Sequence, residues 1–127
     1  MSAINLQQKP FDFTSTGEAH GMTYLILQHP GMGHLCGYVL IPEGHPLHST
    51  TVSGDYDTPC VDVYGGLTWA GQLPNREGVW LGFDCAHCDD LVPAMAANGM
   101  TFPDATFKDP EFVRGELFHL IDQLVTE

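Results

Sequence analysis

The chain has 127 residues, enough for one domain (residues 1–127) with a buried core. It carries four Lys and Arg residues against sixteen Asp and Glu, and its formal net charge is −12. So few cations cannot neutralise a nucleic-acid backbone or hold an anionic membrane surface, because both need several Lys or Arg contacts. We therefore expect neither nucleic acid nor a membrane as a partner.

The N-terminal sequence lacks the apolar segment of a secretory signal peptide. No apolar run reaches the roughly 18 residues that a membrane-spanning helix needs. These features predict a soluble cytoplasmic protein, in a host or bacterial cell, whose four cysteines stay reduced.

The first half of the chain predicts two strands. Residues 1–21 are polar and contain Pro and Gly, so we expect an irregular N-terminal arm. Strand-forming residues fill 22–28 and 35–41, and the Pro- and Gly-containing segment 29–34 between them suits a hairpin loop. Residues 42–59 predict a long loop.

The second half predicts two further strands. Alternation in 61–69 indicates a strand, and the paired glycines Gly65 and Gly66 inside it predict a bulge. A turn is expected over 71–76 and a strand over 79–84. Alternation in that last strand places Val79, Leu81 and Phe83 on one face, with Trp80, Gly82 and Asp84 on the other.

The clearest predicted element is the C-terminal helix. Asp109 is typical of an N-cap and Pro110 of a first helical turn. Helical spacing then forms an apolar stripe of Val113, Leu117, Leu120, Ile121, Leu124 and Val125. With a short helix around 89–97, this predicts an α+β fold: a small antiparallel sheet of about four strands with the C-terminal helix packed on one face.

The densest group of reactive side chains lies in residues 83–90, directly after a predicted strand. Cys85 and Cys88 form a CxxC pair that can supply half of a tetrahedral zinc site. His87, or a histidine distant in sequence, can complete such a site. The candidate metal ligands are His45, His48, Cys85, His87 and Cys88.

The same residues suit a metal-free nucleophilic centre. A cysteine nucleophile needs a histidine base within hydrogen-bond reach and a third group that orients the base. The candidate catalytic residues are Cys85, His87, Asp84 and His45. The structural alternative for a cysteine is a small buried hydrophobe, which we expect for Cys36 and Cys60.

A third pattern predicts a binding surface. If the strands 61–69 and 77–84 pair as a hairpin, alternation places Asp62, Tyr64, Trp80 and Asp84 on one face. Such a face suits a small ligand, because aromatic rings offer stacking surfaces and glycine lets backbone approach closely. The predicted ligand-binding residues are Asp62, Tyr64, Gly65, Gly66 and Trp80. The alternative is an ordinary solvated surface.

The remaining large aromatic residues predict packing in place of binding. We expect core or helix-packing positions for Trp69, Phe112 and Phe118.

Four sequence blocks between residues 36 and 90 are similar to a known group of proteins. They are Gly37-Tyr-Val39, Gly44-His-Pro46, Gly65-Gly-Leu-Thr68 and Gly82-Phe-Asp-Cys-Ala-His87. In this order they resemble a family of small bacteriophage and prophage proteins to which no reaction is assigned. A histidine usually precedes the glycine pair in that family, whereas Tyr64 stands there in this chain. The resemblance implies a phage or prophage origin and an accessory role.

Three functions follow from these patterns. The first is a phage-type accessory protein that holds a small ligand on a polar sheet face rich in glycine, aspartate and aromatic residues. The second is a hydrolase that uses the Cys, His and Asp residues, with or without a metal. The third is an acidic protein that inhibits a host factor through its surface.

Overall fold

The computed structural model describes residues 13–126, which form a five-stranded antiparallel sheet and three helices. The strands are β1 (Thr14–Ala19), β2 (Met22–Gln28), β3 (Leu35–Ile41), β4 (Trp69–Leu73) and β5 (Arg76–Asp84). The helices are α1 (His48–Val52), α2 (Pro93–Ala97) and α3 (Pro110–Leu124). The strand order is β1-β2-β3-β5-β4. The predicted α+β class, with the C-terminal helix on the sheet, is confirmed.

Helix α3 is built as its sequence predicts. The Asp109 carboxylate accepts a hydrogen bond from the Phe112 N–H at 2.9 Å and so caps the first turn. The predicted stripe is buried, except that Val125 lies past the end of the helix and is exposed. Its buried members are Val113, Leu117, Leu120, Ile121 and Leu124.

The stripe of α3 packs on one side of the sheet, which we call the covered face. The sheet side chains of the covered face come from alternate positions of the three central strands: Tyr24, Ile26, Val39, Ile41, Val79, Leu81 and Phe83. The opposite side, the uncovered face, carries a second apolar cluster of Leu25, Leu27, Tyr38, Leu40, Leu73 and Trp80. The predicted alternation in β5 is therefore confirmed.

Several predicted elements differ from the structure. Residues 14–19 of the predicted arm form the edge strand β1, while residues 1–12 lie outside the described part of the chain. The long loop 42–59 contains α1, and only 93–97 of the short helix predicted around 89–97 is helical. The predicted strand 61–69 is wrong, because the strand begins only at Trp69.

The physical reason is that other groups satisfy the backbone of the segment 61–68. The Asp62 N–H donates to Gln123 Oε1 at 2.7 Å, and the Tyr64 N–H donates to Glu116 Oε1 at 3.0 Å. Both acceptors lie on α3, so this segment is held by helix side chains instead of a strand ladder. The chain then continues as a strand through 71–73, where a turn was predicted.

Candidate functional site

Asp90 is the centre of a buried polar cluster that follows β5. Its side chain is fully buried, and one carboxylate oxygen accepts a hydrogen bond from the Tyr64 hydroxyl at 2.5 Å and pairs with Lys108 Nζ at 3.0 Å. The other oxygen accepts from the His87 backbone N–H at 2.9 Å and lies 3.1 Å from His87 Nδ1. A buried carboxylate needs such partners, because an unpaired buried charge is strongly destabilising.

These contacts set the protonation states within the cluster. Burial raises the pKa of Asp90, but hydrogen bonds from Tyr64, His87 and Lys108 outweigh it and the net pKa is lowered. The pKa of Tyr64 is raised, first by burial and then because its hydroxyl donates to Asp90. At neutral pH the cluster therefore holds a charged carboxylate and a neutral phenol.

His87 lies between two carboxylates. Its Nδ1 faces Asp90, and its Nε2 is 3.6 Å from Asp84 Oδ1. Its ring meets Tyr64 edge-on, with 5.5 Å between the ring centroids. About a third of the side chain is exposed, beside a cavity of about 220 Å³ that Cys88 also lines. Asp90 therefore orients a partly exposed imidazole, an arrangement typical of general bases.

The glycine pair supports the His87 ring. Gly65 and Gly66 both have positive φ, 70° and 81°, in a turn closed by the Gly66 N–H and the Val63 carbonyl. A Cβ at Gly65 would collide with the His87 imidazole. The two glycines thus serve a turn and a ring contact, and the predicted bulge in a strand is wrong.

The four candidate catalytic residues do not converge. Asp84 and His87 are neighbours, but Cys85 points into the core on the covered face. The pKa of the Cys85 thiol is raised, first by burial and then by the nearby carboxylates, which makes it a poor nucleophile. His45 Nε2 instead lies 2.8 Å from the Leu124 carbonyl oxygen at the end of α3.

The proposed metal ligands are likewise separated. Within residues 13–126, no group of three or more His, Cys, Asp or Glu is arranged to hold a metal ion. His45 sits at the C-terminal end of α3, whereas His87 contacts Tyr64, which packs on Phe112 in the first turn. About 18 Å of helix lies between those two ends. His48 begins α1, and Cys88 is exposed.

The predicted ligand face is not formed either. Asp62 is 91% exposed in its side chain and lies 3.4 Å from His119 of α3. Tyr64 belongs to the Asp90 cluster, and Trp80 is buried on the uncovered face with its indole N–H donating to the Glu77 carbonyl. Asp62 and Trp80 therefore lie on opposite sides of the sheet.

The uncovered face holds a groove that the sequence did not predict. It encloses about 430 Å³ and runs between the β4–β5 hairpin and the end of β2. Trp69, opposite Gly82 in the β4–β5 register, is 40% exposed along it and not in the core as predicted. The apolar lining is Phe13, Leu27, Pro30, Tyr38, Trp69, Leu73 and Pro74, and the polar lining includes Gln28, His29 and Arg76.

Two glycines of β5 lie beneath large side chains of the uncovered face. A Cβ at Gly82 would collide with the Tyr38 ring, and one at Gly78 would come within 2.5 Å of Leu40 Cδ1. The large β3 side chains can thus lie flat on the β5 backbone.

The predicted burial of two cysteines is half correct. Cys36 lies beside Tyr38 and is buried as predicted, and burial raises the pKa of its thiol to about 11. Cys60 is exposed, contrary to expectation.

His29, which lines the β2–β3 end of the groove, stacks on His34. The rings of His29 and His34 lie 5.0 Å apart. His29 Nδ1 accepts the N–H groups of Gly31 and Met32, so its proton is on Nε2. The pKa of His34 is lowered, first by burial and then by His29. His29 therefore adds a hydrogen-bond donor to the groove.

Within residues 13–126, fold and site together define an α+β domain in which α3 packs on one face of the sheet and the other face carries the groove. A scan against protein-family models, a search of curated proteins and a search of solved structures find no match for this chain. Of the helices in residues 13–126, none combines the length and the apolar character that crossing a bilayer requires.

Proposed function

We propose that the protein binds a small, planar, apolar molecule in the groove on the uncovered face. The supporting observation is an aromatic and aliphatic hollow of about 430 Å³ on the sheet face opposite α3. Ligand sites typically enclose about 300–1,000 Å³ and combine apolar walls with a few polar groups. The groove has both properties.

The shape favours a small molecule over a flat protein partner. Trp69 and Tyr38 present ring surfaces on which an aromatic ligand can stack, and Leu27 and Leu73 supply aliphatic contacts. Exposed apolar surface of this kind commonly marks a binding site. This proposal keeps the predicted function, a small-ligand protein, but moves its site away from Asp62 and Tyr64.

A fluorescence titration with N-phenyl-1-naphthylamine, a neutral aromatic probe, tests the proposal. We expect saturable binding at one site per chain. Trp69→Ala should weaken binding about 2- to 10-fold, because one aromatic pair contributes about 0.5–1.5 kcal/mol beyond burial. Phe118→Ala is the matched control, since Phe118 is an equally exposed aromatic residue on α3, at 44% against 40% for Trp69.

Two results would overturn the proposal. One is the absence of saturable binding, and the other is an equal loss of affinity in both variants. Sedimentation velocity on the same samples identifies a competing use of the face: a dimer that Trp69→Ala dissociates, together with no probe binding, would assign the face to self-association.

The oriented imidazole of His87 favours hydrolysis as a second candidate function. In such a reaction His87 Nε2 takes a proton from water, the resulting hydroxide adds to an ester carbonyl, and the leaving alcohol takes the proton back. Hydrolysis of 4-nitrophenyl acetate tests this role, with His119→Gln as the control because His119 also pairs with an aspartate but at the surface. Equal rates for His87→Gln and His119→Gln would exclude it.

A further inference from the structure

We infer that the groove selects aromatic molecules that carry an anionic group, and that Arg76 binds this group; the inference rests on the proposed function. Arg76 lines the groove at the β4–β5 hairpin, where it pairs with Leu73 in the strand register. A guanidinium can bind a carboxylate, sulfonate or phosphate through two parallel N–H donors.

Arg76 is available for such a contact. Among residues 13–126, no ion pair joins it to a carboxylate. The described chain has two other cations: Lys108 is bound by Asp90, and Arg114 lies on α3. The groove therefore holds the one described cation that lies on the uncovered face.

The position of this cation matters because the protein is strongly acidic. A net charge of −12 repels anions in general and attracts cations. At physiological salt this general effect fades beyond about 8 Å, whereas a direct contact with a guanidinium persists. An anion preference at this site would thus come from a local group and oppose the charge of the whole molecule.

The other polar groups of the groove agree with this chemistry. His29 is held in the tautomer that carries its proton on Nε2, and Gln28 uses its amide to donate to the Gly33 carbonyl at 2.7 Å and to accept from the Phe13 N–H at 3.1 Å. His29 thus offers a donor to a neutral polar substituent at the β2–β3 end of the groove, away from Arg76. No Asp or Glu lies among the described residues that line the groove.

The geometry also orients the ligand. Asp84 lies opposite Cys36 in the β3–β5 register, so the end of the face at the β2–β3 loop carries a carboxylate. Arg76 lies at the other end of β5. The ligand would therefore place its rings on Tyr38 and Trp69 and direct its anionic group toward the β4–β5 hairpin.

Two fluorescent probes with nearly the same skeleton test the inference. 8-Anilinonaphthalene-1-sulfonate is anionic, and N-phenyl-1-naphthylamine is neutral. We expect the native protein to bind the sulfonate about 5- to 10-fold more tightly at 0.15 M salt, somewhat less than a buried hydrogen bond to a charged group would provide. Arg76→Gln should remove this advantage, so that the variant binds the two probes with affinities within about twofold of each other.

The matched control is Arg114→Gln, which removes the same charge from α3 and should leave both affinities unchanged. A cationic analogue, 1-naphthylmethylammonium, provides the opposite test, since attraction by net charge alone would make it the tightest ligand. The inference fails if the cation binds best, if the sulfonate binds no better than the neutral probe, or if Arg114→Gln acts like Arg76→Gln. In those cases binding of the neutral probe still supports the groove as a ligand site, and only the loss of all binding removes both proposals.

Discussion

The two faces of the sheet carry similar apolar residues but bury them to different extents. On the covered face, Ile26, Val39 and Leu81 are completely buried beneath α3. On the uncovered face, Tyr38 and Leu40 are half-buried and Trp69 is 40% exposed. Burial of apolar area stabilises a fold by about 25 cal/mol per Å², so the covered face contributes most of the stability.

This difference indicates where function can reside. Side chains that α3 buries have no access to a ligand. On the uncovered face Leu25 and Trp80 are buried as well, but Tyr38, Leu40 and Trp69 keep apolar surface in contact with water. Binding a ligand there would bury that surface and yield the same hydrophobic free energy that α3 already yields on the other side. The predictions below separate the two faces, beginning with the largest expected effect.

The buried carboxylate on the α3 side should give the largest change. Asp90→Asn should lower the free energy of unfolding by about 3–5 kcal/mol at pH 7, the cost of breaking a buried ion pair, here with Lys108. Because the folded-state pKa of Asp90 is lowered, its stabilising contribution is complete above the unfolded value of about 3.9 and is lost as the pH falls through the folded value.

Urea unfolding of both proteins between pH 3 and pH 7 measures this effect. The difference in free energy between the native protein and Asp90→Asn should shrink below about pH 4. Asp62→Asn is the control, because Asp62 is exposed and its replacement should change stability little at any pH. A difference for Asp90→Asn that does not vary with pH would contradict the proposed pairing.

Leucine truncations compare the faces directly. Leu117→Ala, beneath the covered face, should cost about 2–5 kcal/mol, because Leu117 is fully buried and its loss leaves a cavity. Leu40→Ala, on the uncovered face, should cost about 1–2 kcal/mol, since Leu40 is only half-buried. Chemical denaturation measures both. Equal costs would mean that the two faces contribute alike.

Replacing one glycine on each face with alanine compares the packing of the two faces. A Cβ at Gly37 would meet Phe83 Cε1 at 2.7 Å and Val113 Cγ1 at 3.1 Å, both buried between α3 and the sheet. A Cβ at Gly82 would meet the Tyr38 ring, which can swing toward the groove, and the Gly37 carbonyl oxygen at 2.9 Å. Gly37→Ala should cost about 1–3 kcal/mol, the range for overpacking in a core.

Gly82→Ala should cost a similar amount, because the Gly37 carbonyl oxygen belongs to the backbone and cannot move aside, and it should also weaken binding of the aromatic probe, because the displaced Tyr38 ring would occupy part of the groove. Thermal unfolding and probe titration of the two variants check this pair of effects. The account is contradicted if Gly37→Ala is the variant that loses probe binding while keeping its stability.

How far the sequence predicts this molecule depends on the range of the interactions. The strands β2 and β3, the alternation in β5 and the cap of α3 at Asp109 follow from spacing along a short stretch, and all were predicted correctly. The edge strand β1 was missed because its polar, mostly exposed residues lack an apolar face. The segment around Asp62 was mistaken for a strand because its hydrogen-bond partners are side chains of a helix more than fifty residues later.

The candidate sites likewise depend on contacts between residues that are distant in sequence. The segment 83–90 was recognised as rich in titratable groups, but Asp90 became its centre only through Tyr64 and Lys108, which lie far away in sequence. The exposure of Trp69 depends on which face α3 leaves open, and no local pattern shows that. Gly65, predicted as part of a ligand site, is explained by the His87 ring, with which a Cβ at that position would collide.

The central claim is that the uncovered face takes up an aromatic ligand, and an NMR titration with N-phenyl-1-naphthylamine tests it most directly. The account predicts a saturable shift of the Trp69 indole N–H and of the backbone N–H groups of Leu27 and Tyr38, with little change at Phe118 and His119 on the outer side of α3. Shifts confined to α3, or Trp69 signals that stay in place while the probe binds elsewhere, would contradict it.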